Sequence, residues 1–352
     1  MFRGPVPEPT HPYQRRKDPT LSDAFAKDAE QEDFLEGLNR TLAPRAEAGY
    51  RDLPERYPTL HVIGAPRSGT TLLYQLVAGE LRLGYVNNLI AAFWLAPCDG
   101  IRLARALGLH ELSGSSFDSS FGRTSGVLEP HEFGYFWNHH LRYPDLAEQP
   151  PGHEQTIDWA HLRRVLINMA GAYERPMAFK PMLLTWHLPA IARHMPASRF
   201  VWIRRRPRDT ALSLLKMRHS LLGSYDAWAS LRPREAPTDE PPWRQVAAQV
   251  ALIEREIERA AATIGADRVL QVSYEQLCAD PGAAIADVAD LLAAAGHRPE
   301  RSGSALAPFE PGRNTALEAE FGERVDEALA HYAEAFAAVE QPAVTGPGAG
   351  GR

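Results

Sequence analysis

Short hydrophobic runs alternate with helical patterns along this chain of 352 residues. In 60–81 a β-prone run enters a glycine-containing turn and then a helical pattern. The same order recurs in 198–218, and a third β-prone run in 268–277 precedes a helix rich in Ala and Leu. Repeated strand–helix order is typical of parallel strands joined by crossover helices. We therefore predict an α/β fold with three layers, in which helices flank a central parallel sheet of about five strands.

The ends of the chain lack this alternation. Residues 1–20 combine five prolines with a basic run and no apolar period, which predicts a flexible arm. An amphipathic helix is predicted from Ser22, its N-cap, to about Thr41. Residues 341–352 are rich in glycine and predict a disordered tail. The remaining 21–340 are interpreted as a single domain.

A long insertion is predicted at 220–243, where prolines and mixed charges interrupt the periodic pattern. Loops of this length are uncommon in compact domains unless they serve a function or are disordered. A lid over a substrate is therefore one interpretation of this segment.

Composition narrows the class of protein. Hydrophobic residues make up 44% and charged residues 23%, as in soluble globular proteins. The net charge of −6 argues against a protein that binds nucleic acid by broad phosphate neutralisation. Two cysteines cannot form a disulfide framework, and we find no apolar run typical of a signal peptide or a transmembrane segment. We expect a cytoplasmic protein, and the Ala and Arg content suggests a bacterial source.

The first candidate site is a glycine-containing loop. Gly64 and Gly69 have the spacing of the nucleotide-binding pattern G-x-x-x-x-G-K-[ST], in which backbone N–H groups cradle phosphate. Thr70 follows where that pattern has lysine, and Arg67 is the nearest cation. No predicted strand ends in an obvious acid that could hold Mg²⁺, so the loop suits a phosphosulfate bound without a metal. An ordinary glycine-rich turn is the alternative.

The second candidate site is basic. Arg204, Arg205, Arg206 and Arg208 follow a β-prone run, where the binding crevices of parallel sheets lie. Four arginines there would repel one another without an anion, and Ser213 in the following helix could share a phosphate with Arg205. The alternative is a solvated turn whose charge is neutralised by nearby acids.

Together, GAPRSGTTLL at 64–73 and FVWIRRRPRDTALSL at 200–214 resemble the sulfotransferases that use 3′-phosphoadenosine 5′-phosphosulfate (PAPS), which have a P-loop-like fold. The likeness is to the bacterial and tyrosyl-protein branches. It implies that Arg205 and Ser213 hold the 3′-phosphate. The residues that it implies for the 5′-phosphosulfate are Arg67, Ser68, Gly69, Thr70 and Thr71.

The resemblance extends from about 60 to 320. Tyr274, in SYEQLCADP, corresponds to a tyrosine that lies near the adenine in that family. Arg313, in PGRNTAL, corresponds to a late basic loop that closes on the 3′-phosphate. Lys180, before Pro181, is implied either in catalysis or in closing the cofactor pocket. Arg67 is expected to stabilise the leaving oxygen.

The resemblance does not identify the general base, because Asn87 stands where the tyrosyl-protein branch has a glutamate. The segment SGVLEPHEFGYFW offers Glu129, His131 and Glu132 instead. A histidine titrates near neutral pH, and burial can raise the pKa of a glutamate towards that range. We rank His131 and Glu132 equally and Glu129 behind them; a capping role in the next helix is the alternative for each.

The predicted function is in-line transfer of a sulfuryl group from PAPS to a hydroxyl of a small molecule, carbohydrate or lipid. The product nucleotide is adenosine 3′,5′-bisphosphate (PAP), and no metal is expected because His139 and His140 lack a third ligand at suitable spacing. One alternative is a P-loop kinase of nucleotides or small molecules. Another is a catalytically silent nucleotide-binding protein, which the residue at 87 keeps open. The sequence indicates neither the acceptor nor the oligomeric state.

Overall fold

A five-stranded parallel sheet forms the centre of the computed structural model, which describes residues 27–109, 124 and 126–333. The strand order is β2–β3–β1–β4–β5. The strands are β1 (Thr59–Ile63), β2 (Gly84–Tyr85), β3 (Met177–Phe179), β4 (Arg199–Arg204) and β5 (Val269–Ser273). The predicted α/β fold with about five parallel strands is confirmed.

Helices occupy most of the intervals between these strands. The described α-helices are α1 (Ala29–Gly49), α2 (Thr70–Glu80), α3 (Asn88–Ala91), α4 (Pro97–Ala106), α5 (Gly134–Leu141), α6 (Trp159–Tyr173), α7 (Leu188–His194), α8 (Pro207–Leu222), α9 (Pro242–Ile264), α10 (Tyr274–Ala279), α11 (Pro281–Ala294) and α12 (Thr315–Ala330). Two 3₁₀ segments span His153–Thr156 and Met182–His187. In the described part of the chain, no helix is both long enough and apolar enough to cross a bilayer.

The central strand β1 shows why the sheet is the middle of three layers. All five of its residues are buried, as expected for a parallel strand covered on both faces. Leu60 and Val62 join a core cluster with α2 and α11, whereas Ile63 joins a second cluster with α5, α6, α7 and α9. Alternate residues of a strand face opposite sides, so one short apolar run supplies both cores.

The functional loops converge because parallel strands end at one edge of the sheet. Ile63 of β1 pairs with Trp202 of β4, which sets the turns after these strands side by side. Lys180 follows β3 directly, and Tyr274 follows β5. Side chains from four separate parts of the sequence can therefore meet there.

Helix α1 differs from its predicted bounds. It begins at Ala29, where the Asp28 side chain accepts a hydrogen bond from the backbone of Gln31, and it ends at Gly49 instead of near Thr41. Glu47, in its last turn, pairs with Arg164 of α6. Tertiary contacts of this kind can extend a helix beyond the limits that its local pattern indicates. Helix α1 continues past Pro44. Ser22 lies outside the described residues.

The predicted insertion starts later than residue 220. Helix α8 continues to Leu222, and Gly223, at φ +69°, ends it in the left-handed conformation that glycine favours. Residues 223–241 then lead to α9. The predicted arm at 1–20 and tail at 341–352 lie outside the described residues, so those boundaries stay predictions.

A histidine lies in the middle of the sheet. His61 of β1 is fully buried, with its ring stacked between Phe179 at 5.8 Å and Phe200 at 5.2 Å. Its Nε2 lies 2.9 Å from Thr59 Oγ1. Burial, together with the charge of Arg268, lowers the pKa of His61 from 6.5 to about 3.

This shift predicts acid sensitivity of the fold. The unfolded chain binds a proton at His61 near pH 6.5, whereas the folded chain does not bind it until about pH 3, so stability is lost as the pH falls below 6.5. At pH 5 the contribution of His61 to the loss is about 2 kcal/mol. Urea denaturation at pH 7 and pH 5 should show a smaller loss for His61→Leu than for the wild type. Equal losses would contradict this assignment.

Candidate functional site

The loop between β1 and α2 has a conformation that explains both glycines. A Cβ at Gly64 would lie 2.5 Å from the backbone oxygen of Ile203 on the neighbouring strand. Gly69 has φ +103°, and a Cβ there would overlap the ring of Tyr274. Arg67 also has a positive φ, of +71°, which is uncommon for a residue with a side chain. Such strained positions cluster at binding sites, where surrounding contacts hold them.

The start of α2 is suited to an anion. Its N-cap is Gly69, which offers no side-chain hydrogen bond to the first backbone N–H groups of the helix. The hydroxyl of Ser68 is buried, and it has no hydrogen-bond partner within the described part of the chain. An anion at this place would accept hydrogen bonds from both kinds of donor.

Arg67 and Arg205 meet at this loop. Arg205 Nη1 donates to the backbone oxygen of Arg67 at 3.1 Å, and Arg67 Nε donates to Ser213 Oγ at 3.1 Å. Burial and the neighbouring charge of Arg205 lower the pKa of Arg67. The structure thus brings together three residues that the sequence assigned to phosphate binding, although the Ser213 hydroxyl faces the loop arginine.

Tyr274 and the chain near Arg313 complete this group. The guanidinium of Arg205 lies 4.7 Å from the centre of the Tyr274 ring. Arg205 also donates to the backbone oxygen of Gly312, and the Gly312 N–H donates to the Tyr274 hydroxyl at 3.3 Å. Arg313 follows this glycine and therefore lies beside the same site.

The interpretation of the four-arginine run as one anion site is wrong for three of its members. Arg205 contacts the loop after β1 through the backbone oxygen of Arg67. The other three are paired with acids: Arg204–Glu254 at 2.9 Å, Arg206–Asp209 at 3.2 Å, Arg206–Glu275 at 3.4 Å, Arg208–Glu318 at 3.5 Å and Arg208–Asp326 at 3.1 Å. Helices from distant parts of the sequence supply most of these carboxylates, which neutralise the charge.

A cavity of about 440 Å³ opens beside the loop. Its polar end is formed by Arg67, Thr70, Thr71, His131, Glu132 and Lys180. Its other walls are mainly apolar and include Tyr135, Trp137, Leu183, Met217, Leu221 and Leu231. A volume of this size falls within the range of small-molecule sites, about 300–1,000 Å³.

Lys180 connects the loop to a candidate base. Its side chain is 2% exposed, and its Nζ donates to Thr71 Oγ1 at 2.7 Å and to Glu132 Oε1 at 2.5 Å. A buried lysine is costly unless a negative group lies against it, and Glu132 supplies that group. The ammonium is therefore held between the loop and the carboxylate.

His131 is held in one protonation state. Its Nδ1 accepts a hydrogen bond from the backbone N–H of Phe133 at 2.8 Å. Because a backbone N–H can only donate, Nδ1 carries no proton, and the neutral ring has its proton on Nε2. Burial lowers the pKa of His131 to about 4, although the charge of Glu132 opposes the shift. At neutral pH this ring is a hydrogen-bond donor and a poor proton acceptor.

The third candidate base, Glu129, and Asn87, which stands where the tyrosyl-protein branch has its glutamate, lie elsewhere. Glu129 is buried; its Oε2 accepts a hydrogen bond from Gln75 at 3.3 Å, and it is not part of the cavity lining. Asn87 is also buried, and its side-chain oxygen caps α3 by accepting from the Ile90 N–H at 2.9 Å. The geometry therefore favours Glu132.

Lys27 also lines the cavity, and no sequence pattern predicts this position. Its Nζ lies 2.5 Å from the Tyr135 hydroxyl and 3.2 Å from Glu32. The residue precedes α1 and carries no local motif, so only the folded chain reveals its place. Among the described residues, no group of three or more His, Cys, Asp or Glu side chains could hold a metal ion. Metal-independent chemistry stays a prediction.

The loop geometry predicts a contrast between two glycine substitutions. Gly69→Ala should destabilise the protein by about 1–3 kcal/mol, because it combines a positive φ with overlap of the Tyr274 ring. Gly79→Ala, in α2, is the control: its Cβ would have nothing within 4 Å, and it should stabilise by up to about 1 kcal/mol. Urea denaturation measures both effects, and equal changes would contradict the loop assignment.

Comparisons with known proteins identify the family. The sequence profile described as "Sulfotransferase family" matches residues 58–295, and no curated protein sequence matches the chain significantly. Among solved structures, sulfotransferase STF1 from Mycobacterium tuberculosis H37Rv is 18% identical, with 90% of this chain and 88% of that chain covered and a TM-score of 0.49. Sulfotransferase STF9 from Mycobacterium avium is 15% identical, with 83% and 81% covered and a TM-score of 0.45. Because the profile match spans more than half of the chain, the protein belongs to the sulfotransferase family.

Proposed function

We propose that the protein transfers the sulfuryl group of PAPS to a hydroxyl of an acceptor bound in the cavity, and that it releases PAP. The observation that carries this proposal is the meeting of Arg67 and Arg205 at the uncapped start of α2. The charge of Arg205 already contributes to the lowered pKa of Arg67, and an anion near both side chains would relieve this repulsion. Ser68 Oγ and Arg205 Nε are buried and have no hydrogen-bond partner among the described residues, which fits an anionic ligand that accepts hydrogen bonds there.

The two ends of the nucleotide would bind different groups of residues. Ser68, Gly69, Thr70 and Thr71 would hold the 5′-phosphosulfate together with Arg67. Arg205, Ser213 and Arg313 would hold the 3′-phosphate. The ring of Tyr274, which already lies against Arg205, would border the adenine.

The nucleotide supplies the activated sulfuryl group, and the protein supplies charge and a proton acceptor. Glu132 would accept the acceptor's proton as the acceptor oxygen bonds to sulfur in line with the breaking bond to phosphate oxygen. Arg67 and Lys180 would stabilise the negative charge that develops on that leaving oxygen. His131 would donate a hydrogen bond through Nε2.

The cavity suggests the kind of acceptor. Its walls are mainly apolar beyond the polar end, and its volume of about 440 Å³ suits one compact molecule. These properties favour an apolar alcohol, phenol or lipid hydroxyl over a charged carbohydrate chain. The side chains after β1, β3 and β4 include Arg67, Lys180 and Arg205 instead of an acid for Mg²⁺, so no observation favours the kinase alternative.

Substitution of two neighbouring arginines, Arg205 and Arg206, tests the proposed 3′-phosphate site. Arg205→Ala should weaken binding of PAP by about 1.5–3 kcal/mol, because a charge-assisted contact is lost. Arg206→Ala removes the same charge one residue away, from a side chain paired with Asp209 and Glu275, and should change binding little. Calorimetric titration of both variants measures the difference. Unchanged affinity in Arg205→Ala would remove this arginine from the site.

Two substitutions distinguish the candidate bases. Glu132→Gln should lower kcat by about 10²–10⁴, the range for loss of a general base. His131→Asn keeps an acceptor for the Phe133 N–H and should lower kcat less than about tenfold, because only a hydrogen-bond donor is lost. Product formation at saturating PAPS, with an acceptor found by screening phenols and alcohols, measures both rates. A larger loss in His131→Asn would make the histidine the base.

A further inference from the structure

One wall of the cavity comes from a segment with no helix or strand. Residues 223–241 connect α8 to α9, and Ala229, Ser230 and Leu231 line the cavity. Ala229 and Leu231 are each 1% exposed, and Ser230 has φ +66°. The backbone here cannot rely on a regular ladder of hydrogen bonds, yet its buried polar groups need partners.

Those partners come from two glutamines of α9. Gln249 Nε2 donates to the backbone oxygens of Ala229 at 3.0 Å and Leu231 at 2.6 Å. Gln245 Nε2 donates to the backbone oxygens of Thr238 at 3.0 Å and Glu240 at 2.7 Å. Each side-chain amide thus binds the segment at two points. The two bonds from Gln249 lie at the cavity wall.

Arg218 fixes the orientation of both amides. It lies on α8 with no exposed surface, and it donates to Gln245 Oε1 at 2.7 Å and to Gln249 Oε1 at 3.3 Å. A guanidinium has donors but no acceptor, so each glutamine must turn its oxygen towards the arginine and its NH₂ towards the segment. The same guanidinium contacts the backbone oxygen of Tyr225 at 3.4 Å and lies 4.4 Å from the ring of Trp228.

Arg218 is unusual because its buried charge is surrounded by neutral partners. Among the described residues, the partners of Arg218 are neutral oxygens and an aromatic ring, and no carboxylate forms an ion pair with it. Burial lowers its pKa to about 10, while the charge of Asp226 opposes the shift. A buried cation without a carboxylate is costly, so its retention calls for a role that neutral packing would not fill.

We propose that Arg218 is a positioning residue that sets acceptor selectivity, by holding Ala229–Leu231 as a fixed wall of the cavity. The proposal rests on the proposed function in one respect, that this cavity binds the acceptor. It replaces the idea of a lid: the segment at 223–241 is held from behind in one conformation. A fixed apolar wall discriminates among acceptors by their length and shape.

Hydrogen exchange tests the positioning role without any ligand. In the wild type, amides of the segment such as Arg232, whose N–H donates to the backbone oxygen of Leu146 at 3.0 Å, should exchange slowly. Arg218→Met should accelerate their exchange by at least about tenfold, because the amides of the two glutamines are no longer oriented. Arg255→Met is the control, since this exposed arginine contacts Glu235 of the same segment from the solvent side. Rapid exchange in the wild type, or unchanged exchange in Arg218→Met, would overturn the proposal.

Binding of phenol and 4-pentylphenol tests selectivity. The wild type should bind the longer compound at least about tenfold more tightly, and Arg218→Met should reduce that ratio to below about threefold while its affinity for PAP stays within about twofold. An unchanged ratio, or no binding of either phenol to the wild type, would contradict the role in selectivity. If Arg218→Met does not fold, Gln249→Met, which removes the two bonds at the wall, should reduce the same ratio.

The two proposals fail in different ways. If the amides of residues 223–241 exchange at the same rate in Arg218→Met and in the wild type, the role of Arg218 is refuted, even if PAP binds tightly. Absence of PAP binding, with segment protection and phenol selectivity as expected, would refute the proposed donor and leave Arg218 as the residue that shapes the cavity.

Discussion

The hydrogen bond from Arg205 to the backbone oxygen of Arg67 joins the turns after two neighbouring strands. It is possible because β1 and β4 pair in parallel and end together at the same edge of the sheet. The bond also brings the charge of Arg205 to a loop that holds Arg67 at a positive φ, and this charge contributes to the lowered pKa of Arg67. A site built in this way is strained and electropositive before any ligand arrives, and a bound anion would relieve the repulsion.

The acceptor side depends on a second strand end. Lys180 follows β3 and binds both the loop threonine Thr71 and Glu132, so the candidate base is fixed relative to the place proposed for the sulfuryl group. Phe133, at φ +58°, directs its N–H to His131, while its ring stacks on Phe136 at 4.5 Å. Packing of that ring offsets the unfavourable backbone conformation, and the turn orients two polar side chains at once.

The parts of the site that could be predicted from sequence are those encoded by short-range spacing. Gly64 and Gly69 indicated the loop, and the position of Arg205 after a β-prone run indicated the edge of the sheet. The fold class followed from repeated strand–helix order. These features need only residues that are close in the chain, so local patterns were sufficient.

What could not be predicted depends on partners that are distant in the sequence. The neutralisation of Arg204 comes from Glu254 of α9, and the protonation state of His131 depends on one backbone contact. Residues 223–241 accept hydrogen bonds from Gln245 and Gln249, whose side-chain oxygens bind Arg218, and in the sequence Arg218 is one of several polar residues in a helical pattern. The proline-rich composition of residues 223–241 indicated only that this segment is irregular.

We propose that this edge of the sheet binds a nucleotide with a 3′-phosphate and does so without metal. Calorimetric titration of the purified protein with PAP, beside ATP with Mg²⁺, tests it without knowledge of the acceptor. We expect tight binding of PAP and no heat from ATP. Binding of ATP with Mg²⁺ together with no response to PAP would contradict it.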